Sequence, residues 1–119
     1  MTDREMLELA ARAAGYVVES HHISGGAWVR PVGEMPDADG DYPGLFLWRP
    51  REDDGDALRL AGKLSFTVNI WNMARKTFAG DGESGIGWTE PHGANADAAT
   101  RLAIFRAAAE IGRQMEVQS

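Results

Sequence analysis

The sequence predicts an α+β domain in which three helices pack on a mostly antiparallel sheet, and three observations lead to this prediction. Three segments place apolar residues at the spacing of one helix face. The segments between them contain short aliphatic and aromatic runs that are typical of strands. Turn signals join several of these runs as hairpins, so neighbouring strands are expected to be antiparallel, in the order α-β-β-β-α-β-β-β-α.

The first half of the chain is predicted to contain a helix followed by three strands. Thr2 and Glu5 have the spacing of a capping box, and Gly15 stands where a left-handed cap would end the helix. Ser24-Gly25-Gly26 marks a hairpin turn, and the strongly apolar third strand is expected to be central in the sheet. The predicted elements are a helix at 2–14, strands at 16–23 and 27–30, a surface loop at 33–44 and a strand at 45–48.

The second half is predicted to contain a short helix, three strands and a longer helix. Pro50 lacks a ladder donor and ends the preceding strand, and Asp53 or Asp54 can cap the next helix. Gly80-Asp81-Gly82 is a second hairpin signal. The apolar stripe of the short helix is expected to comprise Ala57, Leu58, Leu60, Ala61 and Leu64. The remaining predicted elements are strands at 66–71, 75–78 and 84–88 and a helix near 95–115, capped by Asn95 or Asp97.

Length and composition limit the classes of protein to which the chain can belong. Its 119 residues correspond to one globular domain, 1–119, and the absence of cysteine excludes disulfides and thiolate zinc sites. No apolar run approaches the ~20 residues of a membrane span or forms a signal core, so a cytoplasmic location is expected. With a net charge of −6 and only Arg75 and Lys76 adjacent, direct binding of nucleic acid is disfavoured.

Asp37, Asp39 and Asp41 begin a pattern that resembles a calcium-binding loop. They occupy its first three alternate positions. However, Tyr42 stands where that loop requires glycine, and Trp48 stands where it requires a bidentate glutamate. We therefore expect no calcium site, and the acidic loop is a candidate surface for a basic partner instead.

Asp53, Asp54 and Asp56 form a second acidic group. Three clustered carboxylates could hold Mg²⁺ together with the phosphates of a substrate. Capping of the helix and compensation of its dipole account for the same three acids without a ligand, and we favour this interpretation. A small metal- or nucleotide-dependent enzyme that uses these aspartates is the alternative.

The remaining motifs of catalysis are incomplete. His21 and His22 are adjacent in a predicted strand and point to opposite faces, and His92 lies in a distant loop. Ser84 is not part of a G-x-S-x-G elbow, and the glycine-rich G-D-G-E-S-G-I-G has neither the lysine nor the helix of a phosphate-binding loop. We therefore predict no catalytic residue, no resident metal and no cofactor.

The four tryptophans, Trp28, Trp48, Trp71 and Trp88, each lie near a predicted strand end, where the ring can pack and the N–H stay solvated. Strict alternation places Trp71 on the face opposite Phe66, Val68 and Ile70. If that face is open to solvent, Trp71 and Arg75 are candidate anchors of an interface. The candidate partner-binding residues are Asp37, Asp39, Asp41, Tyr42, Trp71 and Arg75.

Two blocks, W-R-P-R-E-D-D-G-D-A-L-R-L-A-G-K-L at 48–64 and A-T-R-L-A-I-F-R-A-A-A-E-I-G-R at 99–113, carry a family resemblance. They resemble small phage and prophage proteins of Proteobacteria, of the NinX type, and cover about a quarter of the chain. The chain departs from that pattern at Gly62, where a larger residue is expected. The resemblance implies a viral accessory protein and supplies no catalytic residues.

These observations predict a non-enzymatic phage or prophage accessory protein in the cytoplasm of a host bacterium. It is expected to bind a host or phage protein through an acidic surface that carries aromatic residues, with inhibition of a host defence as one role. A homodimer that buries the face of Trp71 is a further alternative.

Overall fold

The computed structural model describes residues 2–81 and 85–118, and it confirms the predicted α+β class and the order of the elements. Residues 82–84, in the second predicted turn and at the start of the predicted strand 84–88, lie outside the described residues. The elements are α1 at Asp3–Ala14, β1 at Tyr16–His21, β2 at Ala27–Pro31, β3 at Phe46–Trp48, α2 at Asp54–Lys63, β4 at Thr67–Trp71, β5 at Lys76–Gly80, β6 at Gly87–Pro91 and α3 at Ala96–Gln118.

The strands form two antiparallel sheets of three strands each, a division that the strand pattern does not reveal. The first sheet has the order β1-β2-β3 and the second has the order β4-β5-β6. The expectation that β3 is central is wrong, because β3 pairs only with β2 and forms an edge of the first sheet. The chain leaves the sheet after Trp48, and Pro50 and α2 separate β3 from the strands that follow.

Local capping interactions set the helix ends as the sequence predicts. The Thr2 hydroxyl accepts the Glu5 N–H at 3.1 Å, and Gly15 has a φ of 81° beyond the last turn of α1. Asp53 accepts the Asp56 N–H at 2.9 Å and caps α2. Asn95, rather than Asp97, caps α3 by accepting the Ala98 N–H at 3.0 Å.

The long helix α3 is the centre of the molecule, since it packs against α1, α2, β5 and β6. Small side chains line its buried sides: Ala99, Ala103, Ala107, Ala108 and Ala109. At Gly112 the backbone of Leu9 lies so close that a Cβ would overlap the Leu9 carbonyl oxygen. Alanine and glycine therefore allow α1 and the second sheet to approach α3 closely.

The helix α2 turns one narrow stripe toward the interior. Ala57, Leu60 and Ala61 are buried, and Leu64 packs against the core. Leu58 was expected in this stripe, but it is 72% exposed. Its position is one residue, or about 100°, around the helix from Ala57, which places it at the margin of the buried stripe.

The buried apolar side chains form one cluster that includes residues of both sheets and all three helices. Trp48 is only 2% exposed, and the Tyr16 ring meets it edge-on with the ring centroids 5.5 Å apart. Trp48 is thus a core residue of the first sheet, whereas Trp28, Trp71 and Trp88 remain partly exposed. Within the two described stretches, no helix is long and apolar enough to cross a membrane.

Candidate functional site

The second sheet has one face against α3 and one face open to solvent. On the covered side, the Thr77 hydroxyl lies 3.1 Å from that of Thr100, and Glu90 forms an ion pair with Arg106 at 2.9 Å. Residues that alternate with Thr77 and Glu90 must project the other way. We call this other side the outer face; its larger side chains are Thr67, Asn69, Trp71, Lys76, Phe78, Thr89 and Pro91.

Trp71 and Arg75 lie together at one end of the outer face. Trp71 is 44% exposed, and the Nζ atom of its cross-strand neighbour Lys76 lies 5.6 Å from the ring centroid. Arg75 forms the β4–β5 turn with a φ of 54°, and its guanidinium donates to the Gly93 carbonyl at 2.8 Å. The face that carries Trp71 is therefore open to solvent, which was the condition for considering Trp71 and Arg75 as candidate interface anchors.

Phe78 extends this aromatic surface, although the sequence did not single it out. It pairs with Asn69 and Thr89 in the centre of the outer face. Its ring lies over the backbone of Gly80 and Gly87, where an added Cβ would come within 2.8 Å of ring atoms. The signal that could have indicated it is the pair of glycines, which leave room for a neighbouring aromatic ring.

The acidic loop belongs to the first sheet and is stabilised by its own backbone. The Asp37 carboxylate accepts the N–H groups of Asp39 and Asp41, both at 3.0 Å. The Tyr42 ring lies beneath the guanidinium of Arg30, 4.2 Å from the ring centroid. Across residues 2–81 and 85–118, no hydrogen bond, ion pair or ring contact links this loop to the outer face.

The predicted surface that is both acidic and aromatic is therefore divided between two places. The acids Asp37, Asp39 and Asp41 lie on the loop that precedes β3, whereas the exposed Trp71 lies on the outer face. The charged residues beside Trp71 are Arg75 and Lys76, and none of the outer-face side chains is acidic. The aromatic surface is locally cationic on a protein whose net charge is −6.

The aspartates at the start of α2 all have partners within the fold. Asp53 is the helix cap, and Asp54 pairs with Arg101 of α3 at 2.6 Å. Asp56 is buried; one of its oxygens accepts the Arg49 N–H at 2.9 Å and the other pairs with Arg59. The side-chain hydrogen bond to Asp56 raises the pKa of the Arg59 guanidinium.

Asp53 caps α2 as predicted, whereas Asp54 and Asp56 are held mainly by Arg101, Arg59 and the Arg49 N–H. Among the side chains that the structure describes, no group of three or more His, Cys, Asp or Glu residues could hold a metal ion. The three carboxylates face different partners, so they do not converge on a common point where a cation would sit.

The three histidines occupy separate environments. His21 lies 3.0 Å from a Glu8 carboxylate oxygen, and Nδ1 of His22 accepts the Ser24 backbone N–H at 3.1 Å and the Ser24 hydroxyl at 2.7 Å. His92 follows β6 as predicted, but it is only 8% exposed and lies 2.8 Å from the Thr77 hydroxyl. The structure therefore uses each histidine in a different local contact.

No protein-family model matches this chain, and no curated protein or solved structure matches it either.

Proposed function

We propose that this chain is a non-enzymatic binding protein that contacts another protein through the outer face of its second sheet. The observation that carries the proposal is the open face itself, with Trp71 exposed at one end and Phe78 at its centre. Tryptophan and arginine are the residues most often found as energetic anchors of interfaces. Trp71 and Arg75 supply both within one strand and its turn.

The residues of this surface are held in place before any partner binds. Lys76 packs over the Trp71 ring, and Arg75 is tied to the carbonyl of Gly93. Side chains that are already ordered lose less conformational entropy on association. Arg75 also has a positive φ, an uncommon conformation for a residue other than glycine, and such conformations concentrate at functional sites.

The setting that we propose is that of a phage or prophage accessory protein acting on a host or phage protein. This part of the proposal rests on the sequence resemblance of the blocks 48–64 and 99–113. The two blocks are also neighbours in space, because Arg101 pairs with Asp54 and donates to the Arg51 carbonyl at 2.9 Å. The residues of these two blocks would thus maintain the packing of α2 on α3. The outer face lies outside both blocks, so its side chains could differ between proteins that bind different partners.

Affinity co-purification from infected host cells tests this proposal. A tagged chain is expected to retain a specific partner at moderate salt, and Trp71→Ala or Arg75→Glu is expected to weaken that retention at least about tenfold. Ile23→Ala serves as the matched control, because Ile23 is a fully exposed apolar residue in the turn between β1 and β2. Equal retention by all variants would exclude the outer face as the binding surface.

A thermal-shift screen addresses the enzymatic alternative. Stabilisation by Mg²⁺ or a nucleotide that is lost in Asp54→Asn would favour a metal- or nucleotide-dependent enzyme over the binding protein.

Light scattering tests whether the protein forms a homodimer. A mass of two chains that falls to one in Trp71→Ala would make a second copy the partner of the outer face.

A further inference from the structure

The four sheet edges differ in how they are protected from pairing with another strand. β1 carries a register shift between Val18 and Ser20, β3 is only three residues long, and β6 ends in Glu90 and Pro91. Bulges, short strands, charges and prolines are the devices by which proteins block an edge. β4 has none of them: its sequence is Thr-Val-Asn-Ile-Trp, and its pairing with β5 is regular throughout.

The backbone of β4 is correspondingly free along its outer edge. In the described part of the chain, Thr67–Trp71 form backbone hydrogen bonds only within the β4–β5 ladder. In a strand paired on one side, about half of the N–H and C=O groups point away from the partner. β4 can therefore add one further strand through main-chain hydrogen bonds.

An apolar cleft of about 300 Å³ lies between this edge, α2 and α3. Its apolar lining consists of Ala57, Leu58, Val68, Ile70 and Ile104. Leu58 and Ile70, on opposite walls, are 72% and 50% exposed, although both are large aliphatic residues. A strand added beside β4 would direct every second side chain to the covered side of the sheet, which is into this cleft.

The charges at the cleft favour a basic ligand. Asp54, Asp97, Thr100 and Arg101 complete its lining. Asp54 and Arg101 neutralise each other at 2.6 Å, whereas Asp97, over the residues whose contacts are described, forms no ion pair. Two carboxylates and one guanidinium leave a net charge of −1 in a lining that is otherwise uncharged.

We infer that the cleft between α2 and β4 binds an extended peptide segment, which adds to the free edge of β4 as a fourth strand. Alternate apolar side chains of the segment fill the space between Leu58 and Ile70, and a flanking lysine or arginine reaches Asp97. The inference rests on the proposed function, because the segment would belong to the protein partner. It adds that the partner is held by main-chain pairing as well as by Trp71.

Fluorescence anisotropy with a labelled short peptide in which valine and threonine alternate, with one lysine at each end, tests the inference. The control peptide has the same side chains and charge but is N-methylated at alternate amides, so it cannot donate the ladder hydrogen bonds. We expect the parent peptide to bind at least about tenfold more tightly than the methylated peptide, equivalent to about 1.4 kcal/mol. Equal affinities would overturn pairing along β4.

Two protein variants locate the site. Leu58→Lys introduces a charge on an exposed wall of the cleft and is expected to weaken binding at least about tenfold. Ile23→Lys makes the same charge change at an exposed apolar residue of the β1–β2 turn and is expected to retain the affinity of the parent protein. Equal weakening in both variants would show that only net charge matters and would exclude the cleft.

The outcome separates this inference from the proposed function. If partner retention is lost in Trp71→Ala but unchanged in Leu58→Lys, the outer face binds the partner and the cleft inference is wrong. If light scattering shows a dimer of the parent protein that Leu58→Lys dissociates, a second copy occupies the cleft, and the peptide inference is overturned.

Discussion

His92, Thr77 and Thr100 form a chain of hydrogen bonds that crosses from the second sheet to α3. The Thr100 hydroxyl donates its hydrogen to the Ala96 carbonyl at 2.9 Å. Thr77 must then donate to Thr100 at 3.1 Å, and the Thr77 oxygen accepts from the Nε2 atom of His92 at 2.8 Å. All three bonds are satisfied only if Nε2 of His92 carries a hydrogen.

Replacing Thr77 tests the contribution of this chain. Thr77→Val keeps the β-branched shape but leaves the buried His92 N–H without its acceptor, and we expect the free energy of unfolding to fall by about 1–3 kcal/mol. Thr89→Val is the matched control on the exposed outer face of the neighbouring strand, with an expected change within about 0.5 kcal/mol. Urea denaturation measures both, and equal losses would contradict a special role for the buried hydroxyl.

At the scale of elements, the crossing of α1 and α3 depends on the absence of a side chain at Gly112. The Leu9 backbone occupies the space where a Cβ would lie, with the Leu9 Cα only 3.0 Å from that position. By contrast, a Cβ at Gly62 in α2 would meet no atom within 4 Å. Close packing therefore does not require a glycine at position 62.

Alanine substitutions at Gly112 and Gly62 are expected to change the free energy of unfolding in opposite directions. Gly112→Ala forces α1 away from α3, and we expect a loss of about 1–3 kcal/mol in the free energy of unfolding. Gly62→Ala removes backbone freedom from the unfolded chain at an open helical site, and we expect a gain of about 0.5–1 kcal/mol. Thermal and urea unfolding give both values, and a stabilising Gly112→Ala would disprove the close crossing.

Over the whole molecule, α3 links two sheets that do not pair with each other. It contacts β5 and β6 directly, and it reaches the first sheet through α1, which packs on both α3 and β1. The hydrophobic cluster includes Val29 of the first sheet, Ala79 of the second and Phe105 of α3. A core shared in this way couples the two halves energetically.

The shared core predicts one cooperative unfolding transition. In a variant with Trp71→Phe and Trp88→Phe, the remaining tryptophans report only on the first sheet, while far-ultraviolet circular dichroism reports on all helices. We expect the two signals to give the same urea midpoint, because neither sheet has a core of its own. Separate midpoints would divide the chain into two units and contradict the predicted single domain.

The sequence by itself determined the elements and much of their local chemistry. Thr2, Gly15, Asp53 and Asn95 cap helices in the structure because capping is a contact among residues three or four positions apart. The class and order of elements follow from periodicity for the same reason. For Trp71, the sequence predicted the face of the strand but not its exposure. Alternation shows on which face a residue lies, but it does not show whether another element covers that face.

The tertiary structure decided the features that depend on distant residues. It divided the strands between two sheets, moved β3 to an edge, buried His92 against Thr77 and left Leu58 at the wall of a cleft. It also separated the acidic loop from the aromatic face. Periodicity identifies the apolar side of each element, but burial depends on which other element packs there, and that partner lies far away in the chain.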